Sequence, residues 1–107
     1  MAVTEITADE LADRIAAGEP LFDVRRPDEY ESGHVPGAVL IPLDEVPDRV
    51  EEFPTDREFL VICRSGARSM RACETLAAQG IEGINVAGGT LAWIASGREV
   101  STGDNPA

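Results

Sequence analysis

Residues 59–63, FLVIC, are apolar at every position. A strand with one wet face alternates polar and apolar residues, so an unbroken run reads as a strand buried on both faces, in the middle of a parallel sheet. The residues after Cys63 narrow the fold further. Arg64, Ser65, Gly66 and Ala67 must turn the chain straight into a helix, because Met70, Cys73, Leu76 and Ala77 then recur at steps of three and four on one face of residues 67–79. Gly80 stops that helix.

The rest of the chain repeats this rhythm. In TADELADRIAAG, Thr7 and Glu10 fit a capping box, Leu11 and Ile15 share a face, and Gly18 ends the helix. PLFDVR reads as a buried strand ending near Arg25, RPDEYESG as a turn of helix opened by Pro27 and closed by Gly33, and residues 38–41 as a second strand. LDEVPDRVEEFP reads as broken helix, GINV as a strand, AGGT as a turn and TLAWIASG as a last helix. The expectation is one domain over residues 1–100 and a frayed polar tail, STGDNPA, over 101–107. Strands alternating with helices give a parallel α/β sheet covered on both faces, whose ligands gather at the carboxyl ends of the strands. Cys63 sits at such an end.

Charge sharpens the question. The chain has 20 Asp and Glu against nine arginines and no lysine, a net charge of −11, yet residues 59–73 carry three arginines and no acid. The overall charge argues against nucleic acid and anionic membrane as partners. No apolar run reaches the roughly 18 residues of a membrane span, and the first ten residues lack the basic and apolar regions of a leader, so a cytoplasmic protein is expected. Cys63 and Cys73 are ten apart, which fits neither a redox pair nor a zinc knuckle, and His34 is the lone histidine. No metal and no organic cofactor is expected.

The local patch has a chemical use. A tight strand-to-helix turn aims several backbone N–H groups, and the positive end of the helix, at one spot. Such a nest favours a thiolate over a thiol and holds an anion against it. Arg64 and Arg68 are expected to add formal charge at its rim. Cys63 therefore reads as a nucleophile at an exposed strand end, and Cys73, on the apolar stripe of its helix, as packing; Arg71, off that stripe, reads as a solvated residue.

Three motifs resemble one family. CRSGARS, from Cys63, resembles the active-site loop of the rhodaneses, the thiosulfate sulfurtransferases and their single-domain relatives; DVRRPDEYESGHVPGAVLIP, from Asp23, resembles their other signature, and VAGGTLAW, from Val86, their closing Gly-Gly…Trp pattern. The resemblance implies a rhodanese-like three-layer fold with a five-stranded parallel sheet and helices on both faces. It implies catalysis by Cys63, with substrate held by Arg64, Ser65, Gly66, Ala67, Arg68 and Ser69. Sulfur would pass from thiosulfate or a similar donor, through a Cys63 persulfide, to cyanide or a thiol, with a sulfur-relay protein as a further partner. His34 and Asp23 are expected to be structural, Arg25 to pair with Glu29, Gly88 and Gly89 to allow a tight turn, and Trp93 to lie in the core. Two alternatives stand beside the enzyme: a persulfide carrier or interaction module with little thiosulfate turnover, and a phosphatase. A related phosphatase group has five residues between cysteine and arginine; here four separate Cys63 from Arg68, which favours sulfur.

Overall fold

The computed structural model describes residues 2–107. Its elements run β1 (Glu5–Ile6), α1 (Ala8–Ala16), β2 (Leu21–Asp23), α2 (Pro27–Ser32), β3 (Val39–Leu40), 3-10 turns at Leu43–Asp48 and Val50–Glu52, β4 (Phe59–Ile62), α3 (Ala67–Ala77), β5 (Gly83–Val86) and α4 (Gly89–Ala95). The five strands form one sheet in the order β1-β5-β4-β2-β3, and every pairing is parallel. The run that reads as a buried strand is the central one, with β5 on one side and β2 on the other.

Successive side chains of β4 point to opposite faces, so its apolar run feeds two cores. Leu60 and Ile62 join Leu11, Tyr30 and Trp93 under α1, α2 and α4. Phe59, Val61 and Cys63 join Val24, Val46, Ala72, Cys73 and Leu76 under α3 and the first 3-10 turn. Leu11, Val61, Ile62 and Leu76 are fully buried; each contributes on the order of 1.5–3 kcal/mol by leaving water. No helix among the described residues is long and apolar enough to cross a membrane.

Local chemistry explains the boundaries. Thr7 and Glu10 form the expected capping box, Thr7 Oγ1 accepting from Glu10 N–H and Glu10 Oε1 from Thr7 N–H. Leu43–Asp48 and Val50–Glu52 are 3-10 turns, with Pro47 inside the first and unable to donate to an α-helical ladder. β1 has no signal in the sequence: two residues at a sheet edge are too short for any periodicity.

Two expectations fail here. Residues 101–107 are not frayed. Ser101 and His34 exchange both backbone hydrogen bonds, Gly103 N–H donates to Glu31 O, and Gly37 N–H donates to Pro106 O at 2.7 Å. The buried His34 ring stacks on Tyr30, and its Nδ1 and Nε2 lie within hydrogen-bond distance of the carbonyls of Tyr30 and Asn105. His34 is thus structural as expected, and the tail is its partner. Nor does Arg25 pair with Glu29. The buried Arg25 holds Asp23 through Nε and Nη2 and donates a further bond to Gly33 O at 2.8 Å, because a buried guanidinium needs a buried acid and Asp23 is fully buried beside it.

Removing residues 101–107 strips these partners from buried groups of His34. The truncated chain should lose about 1–3 kcal/mol of stability, a fall in Tm of at least roughly 5 °C by calorimetry. An unchanged Tm would show that the tail contributes nothing.

Candidate active site

β4 ends at Ile62, and its last pairing sets Ile62 opposite Asp23. Cys63 comes next, and the chain curls through residues 64–66 into α3. Gly66 is the N-cap of α3 at φ +105, a left-handed conformation that side chains rarely adopt. The curl turns donors onto the cysteine: Gly66 N–H lies 3.1 Å from Sγ, and the Ser69 hydroxyl 3.3 Å from it. The thiol is not at an exposed strand end. Cys63 is 1% exposed, because the loop closes round it and leaves Arg64, Ser65 and Ala67 exposed at the rim, with Arg68 half-buried beside them.

Burial pushes the Cys63 thiol up; the Ser69 hydroxyl and the N–H groups of Ser69, Gly66 and Ser65 pull it down further, and the pKa lies below its ordinary value. Hydrogen bonds therefore lead in lowering the pKa of this thiol, ahead of the arginines. Arg68 is only half free. Its two terminal nitrogens grip Glu29 at 2.7 and 2.9 Å, which holds the Glu29 carboxyl at about 2 and leaves Arg68 little net charge to offer. Arg64 is exposed and forms no ion pair among the described residues. Cys73 is buried on the inner face of α3, in the same apolar cluster as Cys63. Burial, helped by nearby Glu74, pushes its thiol up to about 12.

A curl that turns its N–H groups inward turns its carbonyls outward, and those need partners. The β5–α4 turn supplies them. Thr90 donates to Cys63 O through both N–H and Oγ1, each at 2.9 Å, and Leu91 N–H donates to Arg64 O at 3.1 Å. This approach requires Gly89: a Cβ there would stand 2.6 Å from the carbonyl oxygens of both Cys63 and Arg64. From β5, Asn85 Nδ2 reaches Gly66 O at 3.2 Å and Glu5 Oε2 at 2.8 Å, while its buried Oδ1 has no partner among the described residues. The sequence reads Gly88 and Gly89 as a turn and passes over Thr90 and Asn85. Their role is visible only once β5 lies beside β4.

The fold and this loop define a class. The family model described as "Rhodanese-like domain" matches residues 7–96. The chain is 41% identical over 98 residues to a sulfurtransferase of Allochromatium vinosum, covering 89% of this chain and 92% of that one. It is 38% identical over 77 residues to the thiosulfate sulfurtransferase PspE of Escherichia coli, covering 70% and 74%. A rhodanese-related protein of Thermoplasma volcanium superposes with a TM-score of 0.86 at 32% identity, covering 94% of this chain and 99% of that one. This chain belongs to the rhodanese-like domain family.

The geometry of the loop can be tested at the thiol and at its neighbours. At pH 8, iodoacetamide should label Cys63 and spare Cys73, and the rate at Cys63 should titrate with a midpoint below roughly 8.5. Gly89→Ala should push the loop off its carbonyl partners and return that midpoint towards the free-thiol value, with the far-ultraviolet circular dichroism retained; an unmoved midpoint would count against the clamp. The Glu29–Arg68 pair gives a pH dependence. Its low folded pKa contributes stability that is present above the unfolded value, roughly 4.3, and is lost as pH falls towards about 2. Glu29→Gln should cost about 1–2 kcal/mol at pH 7, discounted for partial exposure, and flatten the acid limb of denaturation between those values. An acid limb identical to that of the unaltered protein would contradict the pairing.

Proposed function

We propose that the protein is a sulfurtransferase that carries sulfane sulfur on Cys63. The observation behind this reading is the pair of donors on Sγ, Gly66 N–H at 3.1 Å and the Ser69 hydroxyl at 3.3 Å, under the N-terminus of α3, in a chain whose relatives include sulfurtransferases. The Cys63 thiolate attacks the outer sulfur of thiosulfate. The sulfur–sulfur bond breaks, its electron pair leaves with sulfite, and a persulfide remains on Cys63. The N–H groups of residues 65–69 stabilise that anion without reorganising. Arg64 and the remaining donors of Arg68 meet the sulfonate oxygens at the mouth. Cyanide, or a thiolate in the cell, then attacks the outer sulfur, and the pair from the broken bond restores the Cys63 thiolate.

A persulfide adds one atom to the cysteine and fits a ring of N–H donors with four residues between Cys63 and Arg68. A phosphoryl group brings three oxygens and needs a wider ring. The two unbridged cysteines suit a reducing, cytoplasmic setting.

Thiocyanate formation from thiosulfate and cyanide tests the reading. Cys63→Ser should lower it by at least about 1,000-fold, Cys73→Ser should keep most of it, and aryl phosphates should not be hydrolysed. Phosphate release without thiocyanate, or full turnover by Cys63→Ser, would overturn it.

A further inference from the structure

Beside the cysteine loop runs a groove with two opposite charges that do not meet. It lies between α3 and the first 3-10 turn, and Val24, Leu43 and Pro47 give it an apolar lining. Val24 belongs to the same buried cluster as Cys63, and its N–H donates to the carbonyl of Ile62, the residue before Cys63, at 3.0 Å. The groove therefore adjoins the face of the sheet on which Cys63 lies, and Arg68 borders it too. Three of its arginines are engaged: Arg25 by Asp23, Arg26 by Asp28 and Arg68 by Glu29. Arg71, three residues beyond Arg68 on α3, is exposed and forms no ion pair among the described residues. Asp44, on the 3-10 turn, is also exposed and forms no ion pair among the described residues. Both line one groove, yet they stand too far apart for an ion pair.

That arrangement discriminates among ligands. A simple anion meets Arg71 but also Asp44 and the −11 net charge of the chain; a simple cation meets Asp44 but also Arg71. A zwitterion satisfies both, and the short apolar stem of a side chain suits the rest of the lining. We propose that this groove is the subsite for the sulfur acceptor and takes an α-amino acid with a thiol side chain, its carboxylate on Arg71, its ammonium on Asp44 and its sulfur towards Cys63. The inference rests on the reading of Cys63 as a sulfur carrier. The acceptor thiolate attacks the outer sulfur of the Cys63 persulfide, the sulfur–sulfur bond to Cys63 breaks, its electron pair stays on Cys63 as thiolate, and the acceptor departs as a persulfide anion. No oxidant is consumed.

Four acceptors separate the two contacts: L-cysteine, 3-mercaptopropionate, which lacks the ammonium, cysteamine, which lacks the carboxylate, and 2-mercaptoethanol, which lacks both. Rates are expressed per thiolate and as ratios to 2-mercaptoethanol. Arg71→Gln should lower the ratios for L-cysteine and 3-mercaptopropionate about fivefold, through KM, and Asp44→Asn those for L-cysteine and cysteamine by a similar factor. Variants that leave all the ratios in place would overturn the subsite. A second measurement needs no sulfur transfer: S-methyl-L-cysteine should slow the alkylation of Cys63 by iodoacetamide, with about fivefold weaker protection in either variant. Absence of protection in the unaltered protein would overturn the subsite. Protection without any persulfide on Cys63 would support the site and overturn the carrier reading instead.

Discussion

The carbonyl oxygens of the cysteine loop are what the site depends on. Residues 63–66 can present N–H groups to Sγ only if the carbonyls on the outer side of the curl find donors of their own. Thr90 and Leu91 donate to Cys63 O and Arg64 O, and Asn85 donates to Gly66 O. These donors come from β5 and the start of α4, so the acidity of one thiol is tied to the order of strands in the sheet. Gly89 is the tightest point of that link, since any side chain there would meet two carbonyl oxygens.

The site also shows how an acidic chain lowers the pKa of a buried thiol. Formal charge is not the main device. Arg25 is neutralised by Asp23 and Arg68 by Glu29, and what lowers the pKa of the Cys63 thiol is a set of short-range hydrogen bonds that salt screens little. Arg68 instead ties the first turn of α3 to α2 through Glu29, and Arg25 ties the chain after β2 to the end of α2 through Gly33 O. Arg64 and Arg71 have no carboxylate partners among the described residues. One stands on the cysteine loop itself and the other on α3, the helix that the loop opens.

Much of this was legible in the sequence, for identifiable reasons. The central strand, the curl at Gly66 and helix α3 come from local rules: an apolar run, a breaker, a period of three and four. The capping box of Thr7 and Glu10 is as local. The place of Cys73 on a packed helical face was legible too. The partners of charged groups were not. Arg25 and Glu29, four apart, look like a pair, yet α2 opens at Pro27 and leaves Arg25 outside it; Glu29 meets Arg68, distant in sequence, across the fold. The tail escaped the reading because its hold on His34 is made by backbone groups, which carry no signature in side-chain chemistry. Thr90 and Asn85 escaped for the same reason in reverse: their side chains serve the backbone of another segment.

The cradle round Cys63 accepts and stabilises a single sulfur atom on this account. Peptide mass spectrometry of the protein after thiosulfate treatment, without reductant, tests it most directly. The account predicts a gain of one sulfur atom on the peptide that contains Cys63, removed by a thiol or by cyanide, with no gain on the peptide that contains Cys73. An unmodified Cys63 in a folded protein, or sulfur found on Cys73 instead, would contradict it.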